Sequence, residues 1–282
     1  MNVESSLKQK KDAVEDYLKQ IFSRYDSSIL IKAMQHSVLS GGKRYRPLLL
    51  LSSGENFHVQ EEDSLPFACG LELIHNYSLV HDDMPSMDND DYRRGQPTCH
   101  KAYGEDIALL TGDSLLTLAF ETMTRAALKH GDISTKMRII HEISCFAGLE
   151  GMIGGQVLDI TVSPEKLTED NLYDLMEKKT AGLITVAVRS GALLGNANSE
   201  SLNALSKYGK NIGLAFQIRD DIFDSEQDQK GEHPSRPNSV AVLGLKKARK
   251  RLQEHLEASV RYLDDAGIDS KELRYLAFML SV

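Results

Sequence analysis

The sequence predicts an all-α fold, one helical bundle over residues 1–282, and three observations carry that prediction. Apolar residues recur at helical spacing along nearly the whole chain. No stretch alternates apolar and polar residues with the period of a strand. Gly, Pro and polar clusters fall between the periodic runs, and neither a repeat nor a linker marks a second domain. At 282 residues and 41% apolar content, with no Trp, the chain has an ordinary globular composition and enough apolar side chains for a large core.

Taken in order, Leu7, Val14, Leu18 and Ile21 space a helix over 5–22, and a second is expected over 28–39. Ser40-Gly41-Gly42-Lys43-Arg44-Tyr45-Arg46-Pro47 then places two glycines before three cations. Two readings stand: a glycine cap with solvated charges, or an anion cradle in which glycine allows close approach and the cations take phosphate oxygens. Leu65, Ala68, Leu71, Leu73, Ile74, Tyr77 and Val80 make 64–80 a core helix that Pro85 ends or kinks. Asp82 and Asp83 therefore fall on its last turn and Asp88 on the loop beyond, at the end where the helix dipole already disfavours negative charge. That cost points to a function. His75 lies two turns before Asp82 on the same face, about 10 Å away along the axis, and reads either as a packed histidine or as a ligand.

The polar loop 89–98 carries Arg93 and Arg94, either as counterions to the acidic cluster or as phosphate ligands. A long helix interrupted at Gly112 is expected over 104–128, and another over 135–152. Gly154-Gly155 marks a flexible or closely packed point, and Ser163-Pro164 breaks the chain. Thr168 precedes a helix over 172–194, in which Gly182 permits a bend just beyond Lys178-Lys179-Thr180. The helix over 199–223 runs into Asp220-Asp221-Ile222-Phe223-Asp224, and the four-residue spacing puts Asp220 and Asp224 on one face. Residues 225–239 are polar and form the best candidate for a mobile loop. Helices over 240–266 and 270–280 close the chain, with Lys246, Lys247, Arg249, Lys250 and Arg251 on a solvated face.

The net charge of −8 argues against nucleic acid as a partner. Cys69, Cys99 and Cys145 are widely spaced, which suggests neither a disulfide framework nor a thiolate zinc site. The polar N-terminus is unlike a secretory signal, and no run reaches the roughly eighteen apolar residues of a membrane span. A cytoplasmic protein is expected. Carboxylates gathered without Cys suit magnesium, which takes a few carboxylates together with phosphate oxygens. With the Lys and Arg residues and the apolar helices, this suggests a magnesium-bridged diphosphate at the mouth of an apolar pocket.

Six motifs now align: Gly-Gly-Lys-Arg-Tyr-Arg-Pro at 41–47, Leu-Val-His-Asp-Asp-Met-Pro-Ser-Met-Asp at 79–88, Arg-Arg-Gly-Gln-Pro-Thr at 93–98, Gly-Gly-Gln-Val-Leu-Asp at 154–159, Lys-Thr at 179–180 and Phe-Gln-Ile-Arg-Asp-Asp-Ile-Phe-Asp at 216–224. With them, over essentially its full length, the chain resembles the trans-isoprenyl diphosphate synthases, and among these the bacterial farnesyl diphosphate synthase group. The resemblance implies an isoprenoid synthase bundle with a central substrate cavity, one polyprenyl synthetase domain, and a homodimer. It implies a magnesium-dependent transferase, using up to three ions, that joins isopentenyl diphosphate head-to-tail to dimethylallyl or geranyl diphosphate. By motif position, Asp82 and Asp88 would hold two ions and Asp220 the third, with Asp83, Asp221 and Asp224 beside them. Arg93, Lys179 and Gln217 would hold the allylic substrate. Gly42, Lys43, Arg46, His75 and Arg94 would hold isopentenyl diphosphate. Thr180 and Gln217 would face the allylic cation, with no side-chain base.

Tyr77, with its neighbour Ser78, sits where family members set product length, and an aromatic there implies a stop at fifteen carbons. Where the family shows a Gly-Lys and then a Lys-Ser/Thr-Tyr-Pro closing segment, this chain has Lys230-Gly231 and Arg236-Pro237-Asn238-Ser239, with Arg236 in place of the second lysine. The chain also lacks a basic C-terminal tail. The alternatives are a geranylgeranyl diphosphate synthase, distinguished by Tyr77, and a non-catalytic homologue or subunit. A terpene cyclase is opposed by Asp220-Asp221 and Asp224, since its second motif mixes Asn, Ser or Thr with Glu.

Overall fold

The computed structural model describes residues 2–129, 131–162, 167–228 and 238–281, and these are almost entirely helical. The chain forms two compact units, one of Met1–Leu51 and Gln60–Ile140, the other of Ser52–Val59 and His141–Val282. Among the described residues no helix is long and apolar enough to cross a membrane.

In the first unit, α1 (Val3–Phe22) is capped by Asn2, and α2 (Ile29–Leu39) by Ser28, whose hydroxyl accepts from the Ile31 N–H at 3.2 Å. Helix α3 (Tyr45–Asn56) contributes its first turns to this unit. Helix α4 (Glu61–Asp82) is the centre: from Ser64 to Ile74 every residue is buried, as expected of a helix that is apolar all round. A short antiparallel pair, β1 (Tyr92–Arg93) with β2 (Gln96–Pro97), follows, then α5 (Cys99–Tyr103), α6 (Glu105–Ala127) and the start of α7 (Ile133–Ala147). Helix α6 packs along α4. Their contact is close at Gly70, where a Cβ would fall 2.6 Å from Met123 Cγ.

Arg44, one of the three cations expected in the basic turn, points inward instead. Its Nε donates to Glu15 at 2.7 Å, Nη1 to Glu72 at 2.7 Å and Nη2 to the Val38 carbonyl at 2.6 Å. This joins α1, α2 and α4 around a buried guanidinium.

In the second unit, α8 (Met152–Thr161), α9 (Glu169–Met176), α10 (Gly182–Leu194), α11 (Ser199–Asp228), α12 (Ser239–Leu243), α13 (Leu245–Asp265) and α14 (Lys271–Phe278) follow in order. A π-helical turn, Glu177–Ala181, joins α9 to α10. Helix α10 is nearly all buried, and α11 packs on both α10 and α13. The Tyr208 hydroxyl, buried in α11, donates to the Leu273 carbonyl of α14 at 2.7 Å.

Several expected boundaries shift. The β1–β2 pair appears where no strand was expected, because two residues a side leave too little alternation to read. Helix α6 runs unbroken through Gly112. The helix expected over 135–152 stops at Ala147, and α8 starts beyond Gly151, where a Cβ would fall 2.0 Å from the Phe146 carbonyl oxygen. The helix expected over 240–266 divides at Gly244, whose φ of 77° suits glycine alone. Helix α11 continues to Asp228 rather than ending near 223. The Ser163-Pro164 break, and 229–237 of the expected loop, lie outside the described residues. The helix expected over 172–194 begins earlier, at Glu169, behind Thr168, whose hydroxyl accepts from the Asn171 N–H at 3.3 Å, and the π-helical turn stands just before Gly182.

Replacing Arg44 with Ala leaves Glu72 buried and uncompensated, and such a loss costs about 3–5 kcal/mol. Urea denaturation of Arg44→Ala should show it, and an unchanged midpoint would sink this account of the core.

Candidate active site

The first acidic cluster is shaped by how α4 ends. Asp83 caps the helix with its N–H on the Leu79 carbonyl at 3.0 Å, and the chain then folds back so that the Asp88 N–H donates to the Asp82 carbonyl at 2.9 Å. Asp82 and Asp88 thus extend from backbones one hydrogen bond apart. Asp83 is buried and accepts from Arg93 Nε at 2.7 Å and Nη2 at 2.5 Å, while Asp90 takes Arg93 Nη2 at 3.3 Å. Burial pushes the Asp83 carboxyl up from its ordinary range, and the Arg93 guanidinium opposes that shift. One ion pair therefore unites a residue expected to hold metal with one expected to hold the allylic diphosphate.

The basic turn lies with Arg94. Gly41 and Gly42 have φ of 91° and 138°, and Arg94 Nη1 donates to the Gly41 carbonyl at 2.5 Å. A Cβ on Gly42 would fall 3.1 Å from the Arg94 Cζ, so glycine there admits the guanidinium. His75 is held well below its ordinary value by burial and then by the positive charges of Arg46, Arg94, Arg93 and Arg44. Gly42, Arg46, His75 and Arg94 are thus gathered, and Lys43 is exposed on the same turn. Arg46 is buried, and His75 sits among like charges that disfavour its protonation.

Tyr77 is buried, its hydroxyl has no hydrogen-bond partner among the described residues, and burial together with the Asp82 charge pushes its phenol up to about 12. Ser78 donates to the His75 carbonyl at 2.9 Å, which commits its hydroxyl to the helix backbone.

In the second unit the π-helical turn presents Lys179 and Thr180. Two glycines hold it: a Cβ on Gly155 would fall 2.4 Å from the Lys179 N, and one on Gly213 2.4 Å from the Ala181 Cα. Gly154-Gly155 is therefore a point of close packing. Lys179 Nζ meets Asp159 at 2.5 Å. Asp159 was within a quoted motif but had no expected role, since spacing of 20 residues across a bend carries no helical periodicity. Thr180 Oγ1 donates to Gln217 Oε1 at 2.7 Å, Gln217 Nε2 donates to Asp221 Oδ1 at 2.9 Å, and the Ser239 N–H donates to Asp221 Oδ2 at 2.7 Å. Burial pushes the Asp221 carboxyl up, and the Ser239 and Gln217 donors oppose it. With both oxygens engaged, Asp221 links α11 to the start of α12. Asp220, more exposed, lies 3.9 Å from the Arg219 guanidinium, and Asp224 follows one turn later. Arg236 lies outside the described residues.

Among the described residues no group of three or more His, Cys, Asp or Glu forms a ready metal cage. The donors at both clusters are carboxylate oxygens, which fits a hard cation that completes its shell with water and phosphate oxygens. The all-helical scaffold thus carries two acidic clusters and, beside the first, a set of guanidinium groups. The comparisons are specific. Residues 27–234 match the polyprenyl synthetase family, and the chain belongs to it. It is 40% identical to a farnesyl diphosphate synthase of Geobacillus stearothermophilus, over 100% of this chain and 98% of the relative. It is 37% identical to a geranylgeranyl diphosphate synthase of Cyanophora paradoxa, over 95% and 93%. Among solved structures, an FPP/GFPP synthase of Zymomonas mobilis superposes with a TM-score of 0.89 at 33% identity, covering 99% of each chain.

The His75 shift has a pH consequence. Between its lowered folded value and the ordinary value of 6.5, the unfolded chain binds the proton that the folded chain refuses. This contribution to stability is full above 6.5 and is lost as pH falls through that window. Thermal melts of His75→Gln should therefore lose less stability than wild type between neutral and mildly acidic pH, and equal losses would contradict the assignment.

Proposed function

We propose that this protein is a farnesyl diphosphate synthase, a transferase of isoprenoid biosynthesis that condenses isopentenyl diphosphate with dimethylallyl and then geranyl diphosphate. The observation that carries the reading is a pattern shared by the two clusters. In each, one aspartate is tied to a residue that the family resemblance assigns to the allylic substrate: Asp83 to Arg93, Asp221 to Gln217. In each, neighbouring aspartates flank that pair. The chain acts as one polyprenyl synthetase domain.

Asp82 and Asp88 would hold two magnesium ions and Asp220 the third, with Asp83, Asp221 and Asp224 supporting them. When bound, magnesium supplies neutralisation of the charge that grows on the departing diphosphate. Arg93 and Lys179 bind and orient the allylic diphosphate by charge-assisted hydrogen bonds. Arg46, Arg94 and Lys43, with Gly42 allowing close approach, bind the diphosphate of isopentenyl diphosphate. His75, neutral at pH 7, adds a hydrogen bond without a further charge.

The allylic C1–O bond breaks, the double bond of isopentenyl diphosphate attacks C1, and a proton leaves to the departed diphosphate. Thr180 and Gln217 direct oxygen dipoles at the developing allylic cation; the Thr180 hydroxyl spends its proton on Gln217, so its lone pairs remain to stabilise positive charge. Tyr77, roughly 7.5 Å down the helix from Asp82, stops the growing chain at fifteen carbons and separates this reading from a geranylgeranyl synthase. Arg236 is assigned to closure over substrate. A homodimer is supported by the apolar side chains Leu109, Leu110, Ile133 and Met137, which are exposed on α6 and α7. A cytoplasmic location is supported by three cysteines that form no disulfide.

Incubation with labelled isopentenyl diphosphate and geranyl diphosphate should give a magnesium-dependent fifteen-carbon product on chromatography. No product from folded protein would refute the activity. In Tyr77→Ala the product should lengthen, and an unchanged product would remove Tyr77 as the stop. Asp82→Ala should lower kcat/KM by at least 100-fold, as expected for loss of an electrostatic group at the reacting centre.

A further inference from the structure

His81 immediately precedes the first aspartate pair, and the reaction described above makes no use of it. Its imidazole lies against α6 at the one place where that helix has no side chain. A Cβ built on Gly112 would fall 2.0 Å from His81 Nε2 and 2.3 Å from Cδ2. In the same contact Nε2 is 3.1 Å from the Leu109 carbonyl oxygen. That oxygen only accepts, so Nε2 carries the proton and donates. One turn earlier on α4, Tyr77 meets the His81 ring edge-on, with centroids 5.9 Å apart. A single side chain thus touches the backbone of α6 and the ring assigned to limit product length, and it is bonded through the chain to Asp82.

The last turn of a helix is held by fewer backbone hydrogen bonds than its interior and frays readily. Here that turn also carries like charges at its negative pole. A tether to a neighbouring helix would fix the direction in which Asp82 and Asp83 leave it. We propose that His81 is a positioning residue that pins the C-terminal turn of α4 to α6 at Gly112, and so sets cation affinity at Asp82 and the placement of the Tyr77 ring together. The product-length half of this proposal rests on the activity proposed above; the cation half does not.

Two variants remove the pin from opposite sides. His81→Ala deletes the ring. Gly112→Ala displaces it from α6 without changing α4; the new methyl meets only the far end of a side chain, and Ala is the better helix former. Both should raise the magnesium concentration for half-maximal turnover by roughly 10- to 100-fold, the usual effect of losing a group that orients a metal ligand. Both should spread the product towards longer chains, with kcat falling more than KM for isopentenyl diphosphate rises. Because each breaks the same contact, His81→Ala/Gly112→Ala should resemble either single variant rather than their sum. His81→Gln, which keeps an N–H donor, should recover part of the loss.

Calorimetric titration of magnesium in the presence of inorganic diphosphate reads the cation half without turnover. Folded variants, checked by thermal melts, that keep wild-type magnesium dependence and product spectrum would overturn the proposal, as would additive effects in the double variant. If the wild type makes no prenyl product yet binds magnesium with diphosphate, and His81→Ala weakens that binding, the assigned reaction fails while the pin stands.

Discussion

Asp82, Asp83 and Asp88 stand at the negative end of a buried helix, and the N-terminal unit is arranged around that electrostatic cost. The protein meets it in three ways. Arg93 neutralises Asp83, which burial alone would push towards its protonated form. The loop after the helix folds back, with the Asp88 N–H on the Asp82 carbonyl, so one orphan carbonyl of the helix end is satisfied. The same guanidinium also takes Asp90, at 3.3 Å from Arg93 Nη2, so one cation answers two carboxylates of this segment.

The basic turn solves the opposite problem, concentrating positive charge without losing the fold. Lys43, Arg44 and Arg46 are near neighbours in sequence, yet Arg44 is drawn into the core between Glu15 and Glu72. An Arg with φ of 51° is an unusual backbone state for a side chain of that size, and four charge-assisted hydrogen bonds offset it. That reversal fixes the turn and leaves Lys43 exposed on it. His75 is held towards its neutral form by burial and by the guanidinium groups around it.

Much of this is legible along the chain. The long apolar runs of α1, α4 and α11 and the two acidic clusters follow from local spacing and chemistry. Glycines were harder to read. Gly112 looked like an interruption and proved to be a receptacle for His81, because what a missing Cβ makes room for is invisible until the neighbour is placed. Gly244 divides a helix, Gly151 stands at the start of α8, and Gly155 and Gly213 clasp the turn that carries Lys179 and Thr180. All five are the same residue with no local signature to separate them.

By itself the sequence determined the helical class, the two acidic clusters and the cationic turn, because helical period, helix termini and side-chain charge are properties of a few consecutive residues. Only the tertiary structure decided which charges pair and which serve. That Arg44 belongs to Glu15 and Glu72, Arg93 to Asp83 and Lys179 to Asp159, and that Asp221 gives both oxygens to Gln217 and Ser239, are facts of residues up to 29 positions apart. The physical reason is that an ion pair or a hydrogen bond depends on distance in space, which local periodicity does not encode.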